Sequence, residues 1–284
     1  NMNTKDLITE TFFSLLSNKA RTGLTMLGIV IGIASVIAMV AIGQGAQASI
    51  EESIQSIGSN LIVISPGASR GIGGYSAMSQ RGSSKTLLES DAESIKEKVS
   101  GIKNMALELS SRYQVTAKGT NTNVSVYGTT KEYSEIRNVK VSLGSFISDQ
   151  QEKTKAKVAV LGPTTAEDLF GDSQSALGQT IRINGMQFTV IGVSVEKGGS
   201  GMSNSDEAVY IPFSTARQYL FGGEYVTSID IEAESSDVME QVQSDISDLL
   251  YSLHNLSADS TADFSIMNQN DIVETASSVT STFT

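Results

Sequence analysis

The sequence predicts an α+β protein: one membrane-spanning helix near the N-terminus, followed by a mixed α/β domain outside the membrane. Three observations predict it. The stretch from Thr22 to Ile50 contains no Asp, Glu, Lys or Arg. Strand–helix–strand patterns stand at both ends of the remainder. Between them lies a segment with strand and hairpin signals of its own, so the domain reads as one composite unit interrupted by an insert.

The apolar stretch decides the first element. A helix needs about 20 predominantly apolar residues to cross a hydrocarbon core of about 30 Å, and Thr22 to Ile42 supplies them. A cleaved signal peptide has a shorter apolar region, about 7–15 residues, closed by a small-residue cleavage site. Lys19 and Arg21 precede the span, and Glu51 and Glu52 follow it, which places the N-terminus in the cytoplasm and the chain beyond Gly43 outside. Within the span, Gly28 and Gly32 form one small-xxx-small pair and Ala34 and Ala38 a second, a pattern that permits close helix packing in lipid. Upstream, Ile8, Phe12, Leu15 and Leu16 share a helical face, as in a short amphipathic helix lying on the inner membrane surface.

The outer domain follows in order. "SNLIVIS" is a β-branched apolar run, hence a strand. A Gly/Ser-rich loop extends from Pro66 to Lys85, without a phosphate-loop pattern. "TLLESDAESIKEKV" places Thr86 and Glu89 at capping-box spacing and Leu88, Ala92, Ile95 and Val99 on one face. Strands are expected over 108–118 and 123–128. In the insert, 135–223, "KVAVLG" is a buried-type strand. "TTAEDLFG" is a short helix with Thr164 and Glu167 at capping-box spacing and Gly171 at its stop. Asn184-Gly185 between two β runs is a hairpin signal. "EAVYIP" is a strand ended by Pro212, and a short helix follows. Then "TSIDIEAE" alternates through Ile229 and Ile231. A helix with Val238, Val242, Ile246, Leu249 and Leu253 on one face and Ser236 or Asp237 as cap comes next, and "DFSIMN" closes the domain.

Composition excludes several functions. The chain has 31 acidic against 20 basic residues, the wrong balance for contacts to nucleic-acid phosphates. No cysteine is present, which removes disulfides, thiolate nucleophiles and Cys-ligated metals. The single histidine, His254, is expected at a helix end, capping it or exposed. Acidic pairs such as Glu51/Glu52 and Asp206/Glu207 read as solvated surface, and Ser200 in "GGSGM" lacks the final glycine of a nucleophile elbow. No catalytic, cofactor-binding or metal-binding residue is assigned.

"NKARTGLTMLGIVIGIASVIAMVAIGQGAQ", "GSNLIVISPG", "AVLGPTTAEDLFG", "LGQTIRINGMQFTVIGV", "VYIPFSTARQYLFG" and "NQNDIVETASSVT" follow one another in the chain. In that order they resemble the MacB-type permeases of the FtsX-like group of ABC transporters. The resemblance implies a two-lobed extracytoplasmic domain: a porter-like lobe from 59–134 and 224–267, and a second lobe from 135–223. It implies a homodimer in a bacterial cytoplasmic membrane that works with an ABC ATPase on a separate subunit and with a membrane-fusion adaptor. It also implies export by mechanotransmission, in which ATP-driven motion inside moves the domain outside. Such permeases carry three further spans after this domain, so the chain is expected to stop just before the second. A single-pass sensor or binding ectodomain is the alternative. Residues 268–284 have Asn270 or Asp271 as cap and helical spacing through Ile272, Ala276 and Val279; Ile50, Ile54 and Ile57 form a matching face beyond the first span. The two segments are expected to pair as a stalk.

Overall fold

The computed structural model describes residues 19–57 (backbone alone from 46 onward), 60–67, 85–198, 204–257, 260–269 and 271. By contacts the chain divides into two units, 1–52 with 274–284, and 53–273. The expected amphipathic helix around Ile8 to Leu16, and Ile272, Ala276 and Val279 of the tail, lie outside the described residues.

Helix α1 runs Lys19–Ile57, and its apolar part, Lys19–Gly45, is 27 residues long. At about 1.5 Å per residue it reaches roughly 40 Å, more than a hydrocarbon core requires. Ile29, Ile33, Val36, Ile37 and Met39 are all exposed. Its hydroxyls turn inward on the helix itself: Thr25 Oγ1 donates to Arg21 O at 3.1 Å and Thr22 O at 2.9 Å, and Ser35 Oγ to Gly32 O at 2.8 Å. A hydroxyl satisfied this way suits an environment without water.

The second unit is a mixed α/β domain on a ten-stranded sheet. Its first part consists of β1 (Leu61–Pro66), α2 (Glu89–Lys98) and β2 (Ile102–Ala117), and its last of β9 (Ser228–Ala233), α7 (Met239–Leu253) and β10 (Phe264–Asn268). The strands pair in the order β10-β1-β9-β2, each neighbour antiparallel. Each strand–helix–strand unit therefore straddles a strand of the other, the interleaved split βαβ arrangement of ferredoxin-like folds. Alternation along β9 turns Ile229 and Ile231 toward the large core that holds Val242, Ile246 and Leu250 of α7 and Ala92 and Ile95 of α2.

The chain between these parts adds β3 (Thr120–Thr129), α3 (Tyr133–Ile136), β4 (Val141–Gly144), α4 (Asp149–Lys153), β5 (Val158–Leu161) and α5 (Pro163–Phe170). Strands β6 (Thr180–Ile183), β7 (Met186–Ser194) and β8 (Ala208–Pro212) and helix α6 (Phe213–Ala216) complete it. Strand β2 is 16 residues long. Its first part pairs with β9, and near its end it pairs with β6. From there the pairing runs β2-β3-β8-β5-β7-β6 and returns to β2, so six strands close a ring, with β4 appended to β7. Closure leaves these strands no free edge to aggregate. One hydrophobic cluster holds Ile62 and Ile231 of the first sheet part together with Val126, Phe188, Val209 and Ile211 of the ring.

Local chemistry explains the turns. Asn184 (φ 49°) and Gly185 (φ 82°) take the paired left-handed conformation of a tight hairpin, as their sequence signals. Lys118 (φ 49°) and Gly119 (φ 88°) do the same between β2 and β3. Gly171 ends α5 at φ 88°, its N–H donating to Glu167 O at 2.8 Å.

Three expected caps are corrected. Helix α2 starts at Glu89, where Asp91 accepts from the Leu88 N–H at 2.8 Å; Thr86 instead donates to Asp263 O at 2.8 Å. Helix α5 starts at Pro163, which needs no N–H partner at this position, so Thr164 is not its cap. Ser236 and Asp237 sit in a tight turn ahead of α7, which begins at Met239.

At Gly128 on β3, a Cβ would stand 2.1 Å from Ala216 Cβ of α6. Gly128→Ala is expected to cost about 1–3 kcal/mol through overpacking, read as a lowered urea midpoint with an unchanged slope.

Candidate functional site

The functional residues proposed from sequence are divided between the two units: Gly28, Gly32, Ala34, Ala38, Ile50, Ala276 and Val279 belong to the first, and Ile54, Ile57 and Ile272 to the second. Gly28, Gly32, Ala34 and Ala38 lie on α1, all exposed. Around Gly28 and Gly32 no atom comes within 4 Å of where a Cβ would stand, apart from the helix's own nearby backbone. Ile50, Ile54 and Ile57 are on the same helix; their side chains lie outside the description. The spacing of small residues is thus real on a helix, and the described residues bring nothing against it.

Inside the second unit the structure brings together charges that the sequence did not single out. Ser228, Asp230 and Glu232 occupy the face of β9 opposite Ile229 and Ile231. Asp230 is fully buried, and Arg137, just past α3, clamps it with both prongs: Nε to Oδ2 at 2.7 Å and Nη2 to Oδ1 at 2.9 Å. Two parallel bonds of this kind fix orientation as well as charge. Lys197 Nζ donates to Arg137 O at 2.6 Å, and Tyr133 OH donates to the buried Glu108 at 3.1 Å. Glu232 accepts from Lys103 and from Asn104, each at 2.8 Å.

Burial, and then the charge of Asp230, push the Glu108 carboxyl up to about 7. Burial is the largest influence on Arg137 and opposes its charge, but Asp230 together with Tyr133 and Glu108 outweighs it and raises the guanidinium pKa. An aromatic group adjoins the network: Tyr127 stacks on Tyr210 at 5.6 Å between centroids, with Tyr133 and Phe146 each 5.8 Å from Tyr210. The arrangement holds α3 against β2 and β9. It carries no nucleophile–base pair, and among the described residues no group of acids and histidine is placed to hold a metal ion.

Two sequence expectations change here. Asp206 is buried rather than solvated; its carboxylate accepts the backbone N–H of Lys197 and of Gly198, both at 2.9 Å. His254 does sit at the C-terminal cap of α7, but its ring is enclosed. Nδ1 lies 2.7 Å from Asp263 and Nε2 3.2 Å from Asp91, with the ring edge-on to Phe264. Burial lowers its pKa, and the two carboxylates outweigh burial and hold it above the ordinary value.

Both shifts have the same sign of consequence. A carboxyl raised on folding costs nothing below its unfolded value near 4.5 and its full penalty above about 7. An imidazole raised on folding contributes fully below 6.5 and loses that contribution as pH climbs through its folded value. The domain is therefore expected to be more stable at pH 5 than at pH 8 by urea unfolding. Glu108→Gln removes the part of the slope below pH 7, and His254→Gln the part above 6.5. Arg137→Ala, which strands the Asp230 charge, is expected to cost about 3–5 kcal/mol, and Arg137→Ala with Asp230→Asn less.

Comparison with known proteins places this architecture. The profile of the MacB-like periplasmic core domain matches residues 22–249. The macrolide export ATP-binding/permease protein MacB of Bdellovibrio bacteriovorus is 38% identical over 272 residues, covering 95% of this chain and 41% of that protein. MacB of Chlorobaculum tepidum is 36% identical over 97% of this chain and 42% of its own length. The chain thus spans about two fifths of the curated relatives it matches. The crystal structure of the periplasmic region of MacB from Actinobacillus actinomycetemcomitans superposes with a TM-score of 0.65 at 26% identity, over 81% of this chain and 98% of that one. The extracellular domain of the noncanonic ABC-type transporter YknZ shares the fold, with a TM-score of 0.57 at 20% identity over 74% of this chain. The chain belongs to the MacB family of ABC transporter permeases and carries its periplasmic core domain behind an apolar helix long enough to cross a membrane.

Proposed function

We propose that this chain is the first span and extracytoplasmic domain of a permease that couples ATP hydrolysis on a partner ABC subunit to export. The cargo class is drugs, peptides or lipid-like molecules, and the means is mechanotransmission. The observation that carries the reading is the direct succession of an unbroken apolar helix and a MacB-like core domain in one matched stretch, residues 22–249. The relatives' name joins ATP-binding, permease and macrolide export. Residues 1–284 contain no Gly-Lys dipeptide and hence no phosphate loop, so in this reading ATP turnover falls outside them.

In this reading the N-terminus is cytoplasmic and the domain lies outside, in line with Lys19 and Arg21 on one flank and Glu51 and Glu52 on the other. Residues 59–134 and 224–267 act as a porter-like lobe, and 135–223 as the second lobe. The Arg137–Asp230 clamp and the shared strand β2 support joint movement of the two, since each ties residues of both segments together. A membrane-fusion adaptor receives the motion. Two copies pair in the membrane, with Gly28, Gly32, Ala34 and Ala38 as the packing face. Ile50, Ile54 and Ile57 meet Ile272, Ala276 and Val279 as the stalk that carries motion of the spans outward.

Ser14→Cys and Glu97→Cys are expected to react with a membrane-impermeant maleimide from opposite sides, Glu97→Cys from outside. In the full-length permease with its ATPase, Ile54→Cys and Ala276→Cys, with neighbours scanned for register, are expected to crosslink with a yield that changes on ATP addition. Absence of any crosslink within or between subunits, with and without ATP, defeats the stalk; labelling of both cysteines from one side defeats the topology.

A further inference from the structure

The last part of the chain has a charge distribution unlike the rest. From Gln218 to Thr284 there are twelve Asp and Glu and no Lys or Arg. Both α7 and β10 belong to this stretch, and they enclose an open groove of about 570 Å³. The helix lends it a stripe at helical spacing, Glu240, Ser244, Ser247 and Asp248, while Val242, Ile246 and Leu250 of the same helix point into the core. The strand lends it Phe264 to Ile266 and Asn268.

Strand β10 ends the sheet: it pairs with β1, and among the described residues no strand lies on its other side. Its register fixes which backbone groups face outward. Gly67 N–H donates to Asp263 O at 2.7 Å, so Asp263 and, by alternation, Ser265 and Met267 bond toward β1. Phe264, Ile266 and Asn268 then aim N–H and C=O away from β1. Pro66 confirms the parity: it stands opposite Phe264, where β1 has no N–H to give to β10. At the far end the Asn268 N–H is taken by Asp271 at 3.0 Å, and the Asp271 N–H returns to Asn268 Oδ1 at 2.8 Å. That leaves a short stretch of strand edge, centred on Phe264 and Ile266, alongside a helix flank that carries carboxylates.

We propose that this edge takes up a basic, extended segment of a partner polypeptide as an additional strand. Backbone pairing with an exposed edge supplies affinity, and every second side chain of an added strand points to the same face. Lys or Arg at alternate positions would then stand over Glu240 and Asp248. Charge complementarity chooses the occupant: no described cation lines the groove, so an acidic or neutral strand would find no compensating partner. The proposal is independent of the export reading, because it concerns the domain's own surface.

The test uses the 284-residue chain in lipid nanodiscs and fluorescent eight-residue peptides followed by anisotropy. The alternating Lys-Val peptide is expected to bind, at least tenfold more tightly than the Glu-Val peptide. Methylating the backbone nitrogens of one alternate set is expected to weaken it at least tenfold, and methylating the other set to leave it unchanged, because only one set faces the edge. The E240K/D248K variant is expected to lose at least tenfold, E97K on exposed α2 surface nothing, and I266P, which removes an outward N–H without touching the β1 pairing, at least tenfold while the domain stays folded, at a melting temperature lowered by the loss of Ile266 packing. Should I266P unfold, the two N-methylated peptides decide. Absent binding, equal binding of both N-methylated peptides, undiminished binding to E240K/D248K, or self-association of the chain through this edge in place of peptide uptake would each overturn the proposal.

Discussion

Asp230 lies fully buried in β9, between two strands of the sheet. A carboxylate there, stripped of water, is tolerable only if its charge is met at close range with good geometry. Arg137 meets it, and the requirement reaches outward from that contact. Arg137 can arrive only if the turn after β3 and the short helix α3 fold back over β2 and β9. The Lys197 ammonium, bonded to Arg137 O, then draws the end of β7 to the same place. The partner charge comes from a segment remote in sequence, so the clamp makes the domain's first sheet part and its ring interdependent.

Strand β2 makes the second link. An ordinary strand of five or six residues serves one sheet. At 16 residues β2 pairs with β9 over its first part and with β6 near its end, so it belongs to both the ferredoxin-like order and the closed ring. The close approach of α6 to β3 needs Gly128, where any side chain would collide with Ala216. A hydrophobic cluster continuous through both parts follows from this geometry.

The proposed regions of contact differ in kind. The span offers small residues and apolar surface to lipid or to another helix, where close van der Waals packing is the source of association. The outer edge beside α7 offers backbone hydrogen bonds and carboxylates in water, where salt and sequence pattern govern binding. In the proposed reading the first serves assembly within the membrane and the second encounter outside it.

The long apolar helix was legible in the sequence, because an uncharged run of that length leaves few other conformations open. The hairpin at Asn184-Gly185, the stop of α5 at Gly171 and the order of strands around α2 and α7 were legible too, since backbone conformation and periodicity act locally. Some failures were local, as where Pro163 displaces Thr164 at the start of α5; the larger ones depend on a distant partner. Thr86 and Glu89 fit a capping box, but Asp91 takes the cap and Thr86 is drawn to Asp263. Asp206 was read as surface and is enclosed by a loop closing back, while His254 sits at the helix end as read, but its ring is enclosed by Asp91 and Asp263. The acids of "SIDIEA" alternate with isoleucine just as they would on a solvated strand. Only the tertiary structure decided that this face is covered, that Arg137 answers Asp230, and that a single long strand joins two sheets into one. Periodicity reports which residues share a face; which faces meet is set by long-range pairing, and no local pattern encodes it.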